Sequence, residues 1–299
     1  MTPRSAPPDR ILLAGASGTI GSAVLRQLEA EGHAVTPLPR AALADPARLA
    51  AVMAEARPRV VISCIASRSG SPKDAQAVDY GANHALLEAA QKPGVAQFIL
   101  LSAICVQKPL LAFQHAKLAF EAELAASGIG YTIIRPTAFF KSLSGQVKRV
   151  AAGKPFLIFG DGNLTRCKPI SDADLARFIT GCIANPEALG KILPIGGPGP
   201  AISLREQGEL LFRLTGKPPK FKSVSPAMFT VAEKLLGLGA GLSDWLAEKA
   251  EYARIARYYA TESMLVLDPE TGSYNAGLTP EFGTETLEAH YRRLIGPSS

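Results

Sequence analysis

The feature that most constrains this chain is a glycine-rich turn between an apolar strand and a helix, in the run ILLAGASGTIG at residues 11–21. Glycines at this spacing permit a tight turn, a close approach of the backbone to a pyrophosphate, and close packing of the helix on the strand. The position of the turn at the head of a βαβ unit predicts a dinucleotide-binding site. The residues predicted to line it are Gly15, Ser17, Gly18, Thr19, Ile20 and Gly21.

Short apolar runs rich in β-branched residues alternate with helical stretches along the first half of the chain. They are continuous apolar runs, which is typical of parallel strands buried on both faces. The βαβα order predicts an α/β fold, a Rossmann-type doubly wound parallel sheet. The predicted strands lie at residues 11–16, 34–38, 59–66, 97–103 and 131–137.

Three segments are expected along the chain. Residues 1–9 are polar and proline-rich, and we expect a flexible tail there. Residues 10–165 carry the alternating pattern and are expected to form the nucleotide-binding Rossmann domain. Residues 166–299 are expected to form a smaller, mainly helical substrate-binding lobe with elements that return to the sheet. A chain of 299 residues with 47% apolar residues is long enough to bury the core that this arrangement requires.

The net charge and the cysteines limit which ligands and which kinds of site are expected. The net charge is +6, but the basic residues are scattered, which favours anionic small molecules over nucleic acid. The four cysteines lie far apart and only four histidines accompany them, so neither a disulfide framework nor a metal site is indicated. The sequence has no apolar span of about 18 residues and no signal peptide, and we expect a cytoplasmic protein.

The second predicted strand favours one nicotinamide cofactor over the other. Proteins that bind NAD usually place Asp or Glu about 20 residues after the glycines, where the carboxylate holds the ribose 2′-hydroxyl. The run VTPLPR offers no carboxylate and ends in Arg40, whose guanidinium suits a 2′-phosphate. We therefore predict NADPH as the cofactor, with Ala66 after the third strand as a further contact.

A lysine lies within an apolar helical pattern at residues 110–124. Lys117 is accompanied by Leu110, Phe113 and Leu124 at helical spacing. Burying an ammonium group costs free energy unless the group is paired or used. Two interpretations are open at this point: a lysine whose stem covers the apolar face while its charge reaches water, or a lysine that acts in a site.

The glycine turn, the run LLSA at residues 100–103 and the helical lysine together resemble the short-chain dehydrogenase/reductase superfamily. Ser102 matches the serine at the end of the fourth long strand, and Lys117 matches the lysine of the Tyr-x-x-x-Lys pair. Phe113 stands where that pair has its tyrosine. The phenol that would protonate a carbonyl oxygen is therefore missing, and this puts alcohol or ketone chemistry in doubt.

Longer blocks resemble a closer family, the NADPH-dependent divinyl chlorophyllide a 8-vinyl-reductases, from about Asp9 to the C-terminus. The resemblance implies an oxidoreductase that reduces the 8-vinyl group of divinyl chlorophyllide or protochlorophyllide to ethyl, in chlorophyll or bacteriochlorophyll biosynthesis. The blocks are LLSAICVQKPLLAFQHAKLAFEAEL, RPTAFFKSLSGQV, FGDGNLTRCKPIS, LPIGGPG with EQGELLFRLTGK, and ESMLVLDPETGSY.

Vinyl reduction forms no alkoxide, so a missing tyrosine suits this chemistry. The resemblance implies that Lys117 and Ser102 act at the catalytic site. We expect Lys117 to hold the nicotinamide ribose hydroxyls, with donation of a proton to the substrate as the alternative. On either interpretation, Lys117→Ala is expected to lose activity and to keep the fold.

The substrate is expected to bind along RPTAFFKSLSGQVKR, because ligands of open α/β sheets bind past the carboxyl ends of strands. Phe139 and Phe140 are predicted to stack on a flat macrocycle, and Lys141 to meet its propionate carboxylate. Packing of both phenylalanines in the core is the alternative. Other cationic partners for the carboxylate, in the loop after the third strand, are Arg68 and Lys73.

Residues 226–260 are richer in apolar and aromatic side chains than the middle of the chain. A macrocycle with an isoprenoid tail would need such a surface on the smaller lobe. A membrane-binding surface and a dimer interface are alternatives that the sequence does not separate. Peripheral contact with a photosynthetic membrane is thus one of the interpretations left open, and so is the oligomeric state.

Two other classes of protein are compatible with parts of this sequence. An atypical reductase of small aromatic substrates would have the same Rossmann half, but the blocks beyond that half argue against it. A non-catalytic NADP-binding regulator or assembly factor can also lack the tyrosine. The presence of both Lys117 and Ser102 argues against this second class.

Overall fold

The computed structural model describes residues 9–91, 94–237 and 243–296, so the tail expected at residues 1–9 lies outside the described residues except for Asp9. The described strands are β1 (Arg10–Ala14), β2 (Ala34–Leu38), β3 (Val60–Ser63), β4 (Gln97–Leu101), β5 (Gly130–Pro136), β6 (Phe156–Phe159), β7 (Arg166–Cys167), β8 (Lys191–Ile195), β9 (Ile202–Ser203), β10 (Phe221–Val224), β11 (Val266–Leu267) and β12 (Tyr274–Asn275).

The described helices flank these strands. They are α1 (Thr19–Ala30), α2 (Pro46–Ala56), α3 (Pro72–Asp74), α4 (Asn83–Ala90), α5 (Ala112–Ala126), α6 (Phe140–Leu143), α7 (Val147–Ala151), α8 (Asp172–Thr180), α9 (Leu204–Thr215), α10 (Ala227–Gly237), α11 (Asp244–Thr261) and α12 (Leu287–Ile295). A π-helical segment, Ala75–Ala82, joins α3 to α4, and short 3-10 turns occupy Arg40–Ala44, Ile104–Gln107 and Ser144–Gln146.

Six strands form one parallel sheet in the order β2-β1-β3-β4-β5-β8. Each of the five strands predicted from the apolar runs lies in this sheet, and the Rossmann-type doubly wound fold is confirmed. The sixth strand, β8, comes from the C-terminal half of the chain. Because all six strands run the same way, their carboxyl ends meet along one edge, where the ligands of such sheets bind.

The sheet is buried on both faces, and side chains of alternate residues enter two separate cores. On β1, Ile11 and Leu13 pack on the face covered by α1 and α8. Leu12 and Ala14 pack on the opposite face, which α2, α4 and α5 cover. This double burial is the reason that the strands are continuous apolar runs in the sequence.

A buried glutamine ties the returning part of the chain to the sheet. The side-chain amide of Gln97, on β4, donates to Thr132 Oγ1 at 3.1 Å and to the carbonyl oxygen of Cys182 at 2.8 Å. Its amide oxygen accepts from the backbone N–H of Ala184 at 2.9 Å. The turn that leads into β8 is therefore held by satisfied buried hydrogen bonds, which cost little only when every partner is present.

The C-terminal lobe has a core of its own beneath α7, α9 and α12 and the parallel pair β6 and β10. Helix α9 begins at a capping box, in which the Ser203 hydroxyl accepts from the N–H of Glu206 and Glu206 accepts from the N–H of Ser203. The lobe is tied to the sheet by Asp174 of α8, whose carboxylate accepts from the N–H groups of Thr284 and Glu285 at 3.1 and 2.9 Å.

Helices α10 and α11 pack against each other, and α11 also contacts the segment that follows β4. The hydroxyl of Tyr258, on α11, donates to the backbone carbonyl oxygens of Cys105 and Lys108 at 2.9 and 3.2 Å. The pair of helices is thus anchored beside the 3-10 turn that follows β4. Across the described ranges, the structure contains no helix that is both long enough and apolar enough to span a bilayer.

Candidate active site at the carboxyl edge of the sheet

The glycine turn between β1 and α1 requires glycine at two positions because the backbone atoms touch. A Cβ atom on Gly21 would lie 2.1 Å from the carbonyl oxygen of Gly15, and one on Gly15 would lie 2.6 Å from that of Cys64. Gly15 also has a φ of +80°, which only glycine adopts without strain. Gly18 is the residue before α1, and it has no side chain to cap the helix. The first N–H groups of α1 therefore face the turn without a side-chain acceptor. This arrangement fits a pyrophosphate.

Lys141, which the sequence suggested as a partner of the substrate carboxylate, lies at this turn and does not line the cavity described below. Its ammonium group donates to Thr19 Oγ1 at 2.7 Å, at the first residue of α1. A cation at this point adds to the positive end of the helix dipole and favours an anion there. Of the other residues predicted to hold the cofactor, Ser17 is exposed, whereas the side chain of Ile20 is in the core and leaves only its backbone to the turn.

Arg40 and the loop after β3 lie beside the glycine turn, since β2 and β3 flank β1 in the sheet. The carboxylate of Asp74 accepts from the N–H groups of Arg68 and Ser69 at 3.0 and 2.9 Å. Burial alone raises the pKa of Asp74, but the hydrogen bonds from Ser69 and Arg68 and the charge of Arg40 outweigh burial and lower the pKa. Arg68 and Ala66 are exposed in this loop. Neither lines the cavity described below.

Lys117 is buried in a pair with an acidic residue from another element. Its ammonium nitrogen lies 3.0 Å from Asp79 Oδ1, and the side chains of Lys117 and Asp79 are 10% and 0% exposed. Asp79 lies in the π-helical segment, a type of distortion that is frequent at functional sites. Its Oδ1 also accepts from the N–H of Ser67 at 3.3 Å. The interpretation in which the charge of Lys117 reaches water is therefore wrong.

One carboxylate oxygen of Asp79 takes no part in these contacts. Oδ2 is buried and has no hydrogen-bond donor among the described residues. A buried carboxylate oxygen without a donor is costly, so a ligand hydroxyl that donates to it would be stabilised. The pair of Lys117 and Asp79 thus offers both a donor and an acceptor at one point, which fits the two hydroxyls of a ribose.

Ser102 has a different carboxylate partner. Its hydroxyl donates to Glu121, one turn along α5 from Lys117, and Glu121 is also held by Arg135 of β5. Glu121 is 4% exposed, so this second pair is buried as well. Ser102 and Lys117 are thus each engaged by a separate acidic residue. Phe113 packs in an apolar cluster that includes Ile104, Leu111 and Tyr258, and it brings no hydroxyl to the site.

A cavity of about 520 Å³ lies between the carboxyl edge of the sheet and the C-terminal lobe. Its size is typical of pockets for small molecules. Most of the lining is apolar, and it comes from the segments after β4 and β5, from β7 and β9, and from the end of α11. The charged residues of the lining are Arg166 and Glu262.

The two neighbouring phenylalanines have different surroundings. Phe139 lines the cavity and packs against the first core of the sheet. Phe140 is 1% exposed in the core of the lobe, with its ring centroid 5.3 Å from that of His290. The stacking role expected for Phe140 is therefore replaced by core packing. Phe139 has extended backbone angles and Phe140 begins α6, so the two side chains diverge.

The ionisable groups of the cavity are either hydrogen-bonded to neighbouring side chains or buried. Both oxygens of Glu262 accept from Lys108, at 2.9 and 2.8 Å, and one accepts from the Tyr274 hydroxyl at 2.8 Å. Burial raises the pKa of the Cys167 thiol to about 12 and also raises that of Cys105, so both thiols are protonated at neutral pH and act as apolar lining. Within the described ranges, no cluster of His, Cys, Asp and Glu is suited to a metal ion.

Sequence reasoning missed three acidic or basic residues of this site: Asp79, Glu121 and Arg166. Asp79 and Glu121 are carboxylates within otherwise apolar helical runs, and this signal was available. What the sequence did not contain was the identity of their partners, because each pair joins two different elements. Arg166 lies in a two-residue strand with no periodic pattern to mark it.

The glycine turn, the paired lysine and an apolar cavity at the carboxyl edge define a nicotinamide-dinucleotide-binding oxidoreductase of the Rossmann type. A family model described as NAD(P)H-binding matches residues 40–186. The fold is also that of an NADPH-dependent quinone oxidoreductase from Escherichia coli, with a TM-score of 0.65 and 20% identity over 96% of this chain and 100% of that one.

Closer relatives identify the family. The chain is 46% identical to a chloroplastic divinyl chlorophyllide a 8-vinyl-reductase of Oryza sativa subsp. indica, over 95% of this chain and 78% of the relative. It is 52% identical to the protein of the same name from Cucumis sativus, over 79% of this chain and 58% of the relative. The chain belongs to the divinyl chlorophyllide a 8-vinyl-reductase family.

The buried pair of Lys117 and Asp79 changes the outcome expected for a lysine substitution. Lys117→Ala leaves the carboxylate of Asp79 buried without a compensating charge, so we expect a loss of about 3–5 kcal/mol in the free energy of unfolding. The sequence alone gave no reason to expect destabilisation in this variant, whereas the buried pair predicts one. Denaturant unfolding followed by circular dichroism measures the loss.

Two further variants separate stability from function at this pair. The double variant Lys117→Met with Asp79→Asn removes both charges, and it is expected to regain most of the stability while binding NADPH at least tenfold more weakly. Arg213→Ala, which breaks a surface pair with Glu288, is the matched control and is expected to lose at most about 1 kcal/mol. Equal stability of Lys117→Ala and Arg213→Ala would contradict the structural role of the pair.

Proposed function

We propose that this protein is an NADPH-dependent reductase that converts the 8-vinyl group of a divinyl chlorophyllide to an ethyl group. The observation that carries this proposal is the 46% identity, over 95% of the chain, to a rice protein that bears that name. We place the reaction in chlorophyll or bacteriochlorophyll biosynthesis. The apolar cavity at the carboxyl edge supports a flat, largely hydrocarbon substrate.

Different residues of the chain bind the two ligands, which are the NADPH cofactor and the pigment substrate. When bound, NADPH supplies the hydride for the carbon–carbon double bond. Gly15, Gly18 and Gly21 hold the pyrophosphate, with Lys141 adding positive charge beside Thr19. The apolar lining of the cavity, with Phe139 at its edge, excludes water and orients the macrocycle.

Lys117 is assigned the ribose hydroxyls of the nicotinamide half. This role is supported by the buried ion pair, which fixes the ammonium group, and by the Asp79 oxygen that lacks a donor among the described residues. Proton donation by Lys117 is the alternative role. Ser102 is assigned a place at the same edge, where its hydrogen bond to Glu121 holds the segment after β4. Phe113 is compatible with a reaction in which no alkoxide forms.

NADPH is preferred over NADH because of the residues in β2 and directly after it. The run from Ala34 to Leu38 contains no carboxylate to hold a ribose 2′-hydroxyl. Arg40 follows it with an exposed side chain, next to the loop that carries Asp74. A guanidinium at this point gives a charge-assisted contact to a 2′-phosphate.

The lobe is also assigned a peripheral contact with a lipid bilayer. Helices α10 and α11 expose a set of large apolar side chains whose exposed fractions are 57–69%: Met228, Val231, Leu235, Trp245 and Tyr252. The ammonium of Lys249 lies 5.9 Å from the centroid of the Trp245 ring, so a cation and an interfacial aromatic are side by side. Such a combination is typical of surfaces that bind at the headgroup level of a membrane.

Turnover of a defined pigment tests the proposed reaction. Purified protein with divinyl chlorophyllide a and NADPH is expected to yield a product that is heavier by two hydrogen atoms, with a Soret band at shorter wavelength. Mass spectrometry and absorption spectroscopy measure the two changes, and samples without NADPH are the control. A protein that binds the pigment and NADPH together but leaves the vinyl group intact would be a non-catalytic NADP-binding protein.

The choice of cofactor is tested by reversing one charge. Arg40→Glu is expected to raise the KM for NADPH at least tenfold and to leave that for NADH within twofold, since like charges then repel at the 2′-phosphate. Arg48→Glu, an exposed arginine on α2, makes the same charge change and is expected to alter neither value. Steady-state kinetics measure both. An unchanged KM for NADPH in Arg40→Glu would mean that another residue reads the phosphate.

Vesicle binding tests the membrane contact. The protein is expected to sediment with liposomes that contain anionic lipid, and the double variant Val231→Glu with Leu235→Glu is expected to remain in the supernatant. Leu278→Glu, at an exposed leucine outside α10 and α11, is the control and is expected to bind as the unaltered protein does. Equal sedimentation of all three proteins would contradict a role for this surface.

A further inference from the structure

Arg166 has donor capacity that the protein does not use. One terminal nitrogen of its guanidinium donates to Glu206, but Nε is buried and has no acceptor among the described residues. A guanidinium carries five N–H groups in a rigid fork and is charged at all physiological pH values. A buried N–H without an acceptor is costly, so a ligand acceptor at this point would be strongly favoured.

The surroundings hold this arginine in place beside the cavity. Arg166 lies on β7, which pairs with β9, and it lines the cavity together with Thr165 and Cys167. Glu206 is fixed by the capping box of α9, and although burial alone raises its pKa, hydrogen bonds from Arg166 and Ser203 lower the pKa below its ordinary value. Glu206, held in the capping box, therefore fixes the position of the guanidinium nitrogen from which it accepts, although both side chains are about two-fifths exposed.

The other charged groups considered for the substrate are either engaged or lie outside the cavity lining. Glu262 has both oxygens occupied by Lys108 and Tyr274. Lys141 lies at the glycine turn with Thr19, and Arg68 is in the exposed loop after β3. Among the charged residues that line the described cavity, Arg166 is the cation, and the remaining lining is mostly apolar.

From this geometry we propose that Arg166 is a specificity-determining residue that binds a carboxylate of the substrate in the cavity. The inference rests on the proposed function, since a chlorophyllide carries a free propionate carboxylate that an esterified pigment lacks. Arg–carboxylate contacts are commonly bidentate, which makes them specific in geometry as well as charge. Arg166 thereby takes the role that the sequence had suggested for Lys141 or Arg68, and it selects free-acid pigments over their esters.

Binding of an acid and an ester to matched variants tests this assignment. The probes are divinyl chlorophyllide a and its methyl ester, titrated against the protein by quenching of the fluorescence of Trp245, the one tryptophan in the sequence. The unaltered protein is expected to bind the acid at least tenfold more tightly than the ester. Arg166→Gln is expected to remove that preference and to leave the affinity for the ester within twofold.

A matched variant separates recognition from the structural role of Arg166. Glu206→Gln removes the negative charge beside Arg166 but keeps an amide oxygen that can accept from the guanidinium, so Arg166 stays in place and the preference for the acid is expected to remain. Equal weakening of acid and ester in Arg166→Gln would assign Arg166 a purely structural role. Equal affinity of the unaltered protein for acid and ester would overturn the inference without any variant.

The same samples distinguish this inference from the proposed function. Turnover with NADPH is followed in parallel for both pigments. Reduction of the vinyl group without any preference between acid and ester overturns the role of Arg166 and leaves the reductase assignment in place. An Arg166-dependent preference for the acid without reduction overturns the reductase assignment and leaves the carboxylate site in place. Failure to bind either pigment overturns both.

Discussion

The whole arrangement depends on the burial of a parallel sheet on both of its faces. Parallel strands need helical crossovers, and those crossovers cover both faces with apolar side chains. The carboxyl ends of all six strands then lie on one edge. At that edge the chain passes from strands into loops and turns. The edge therefore brings together three features that are far apart in the sequence: the glycine turn, the acidic partner of Lys117 and the cavity.

Charges at this edge are buried as pairs from different elements. Lys117 of α5 pairs with Asp79 of the π-helical segment, and Glu121 of the same helix pairs with Arg135 of β5. Separating either pair would leave an uncompensated charge in an apolar setting, which is far more costly than the pair itself. The pairs therefore fix the relative positions of α5, β5 and the segment before α4. A site built on such rigid contacts is preorganised for its ligands.

Several features could be predicted from the sequence because their causes are local. The strands of the sheet are visible as continuous apolar runs, since each residue of a doubly buried strand faces a core. The turn is visible as three glycines, because backbone contacts such as that between Gly21 and Gly15 exclude any side chain. The orientation of Phe139 and Phe140 could not be predicted in this way. A change from extended backbone to helix falls between them and sends adjacent side chains to different places.

The sequence by itself determined the sheet, the glycine turn and the presence of a lysine that could not be buried without a reason. Only the tertiary structure decided that Asp79 is the partner of Lys117, that Lys141 faces Thr19, and that Arg166 borders the cavity. The physical reason is the range of the interactions. Burial patterns and backbone sterics act between neighbours in the chain, whereas the partner of a charge depends on which elements packing brings within about 4 Å.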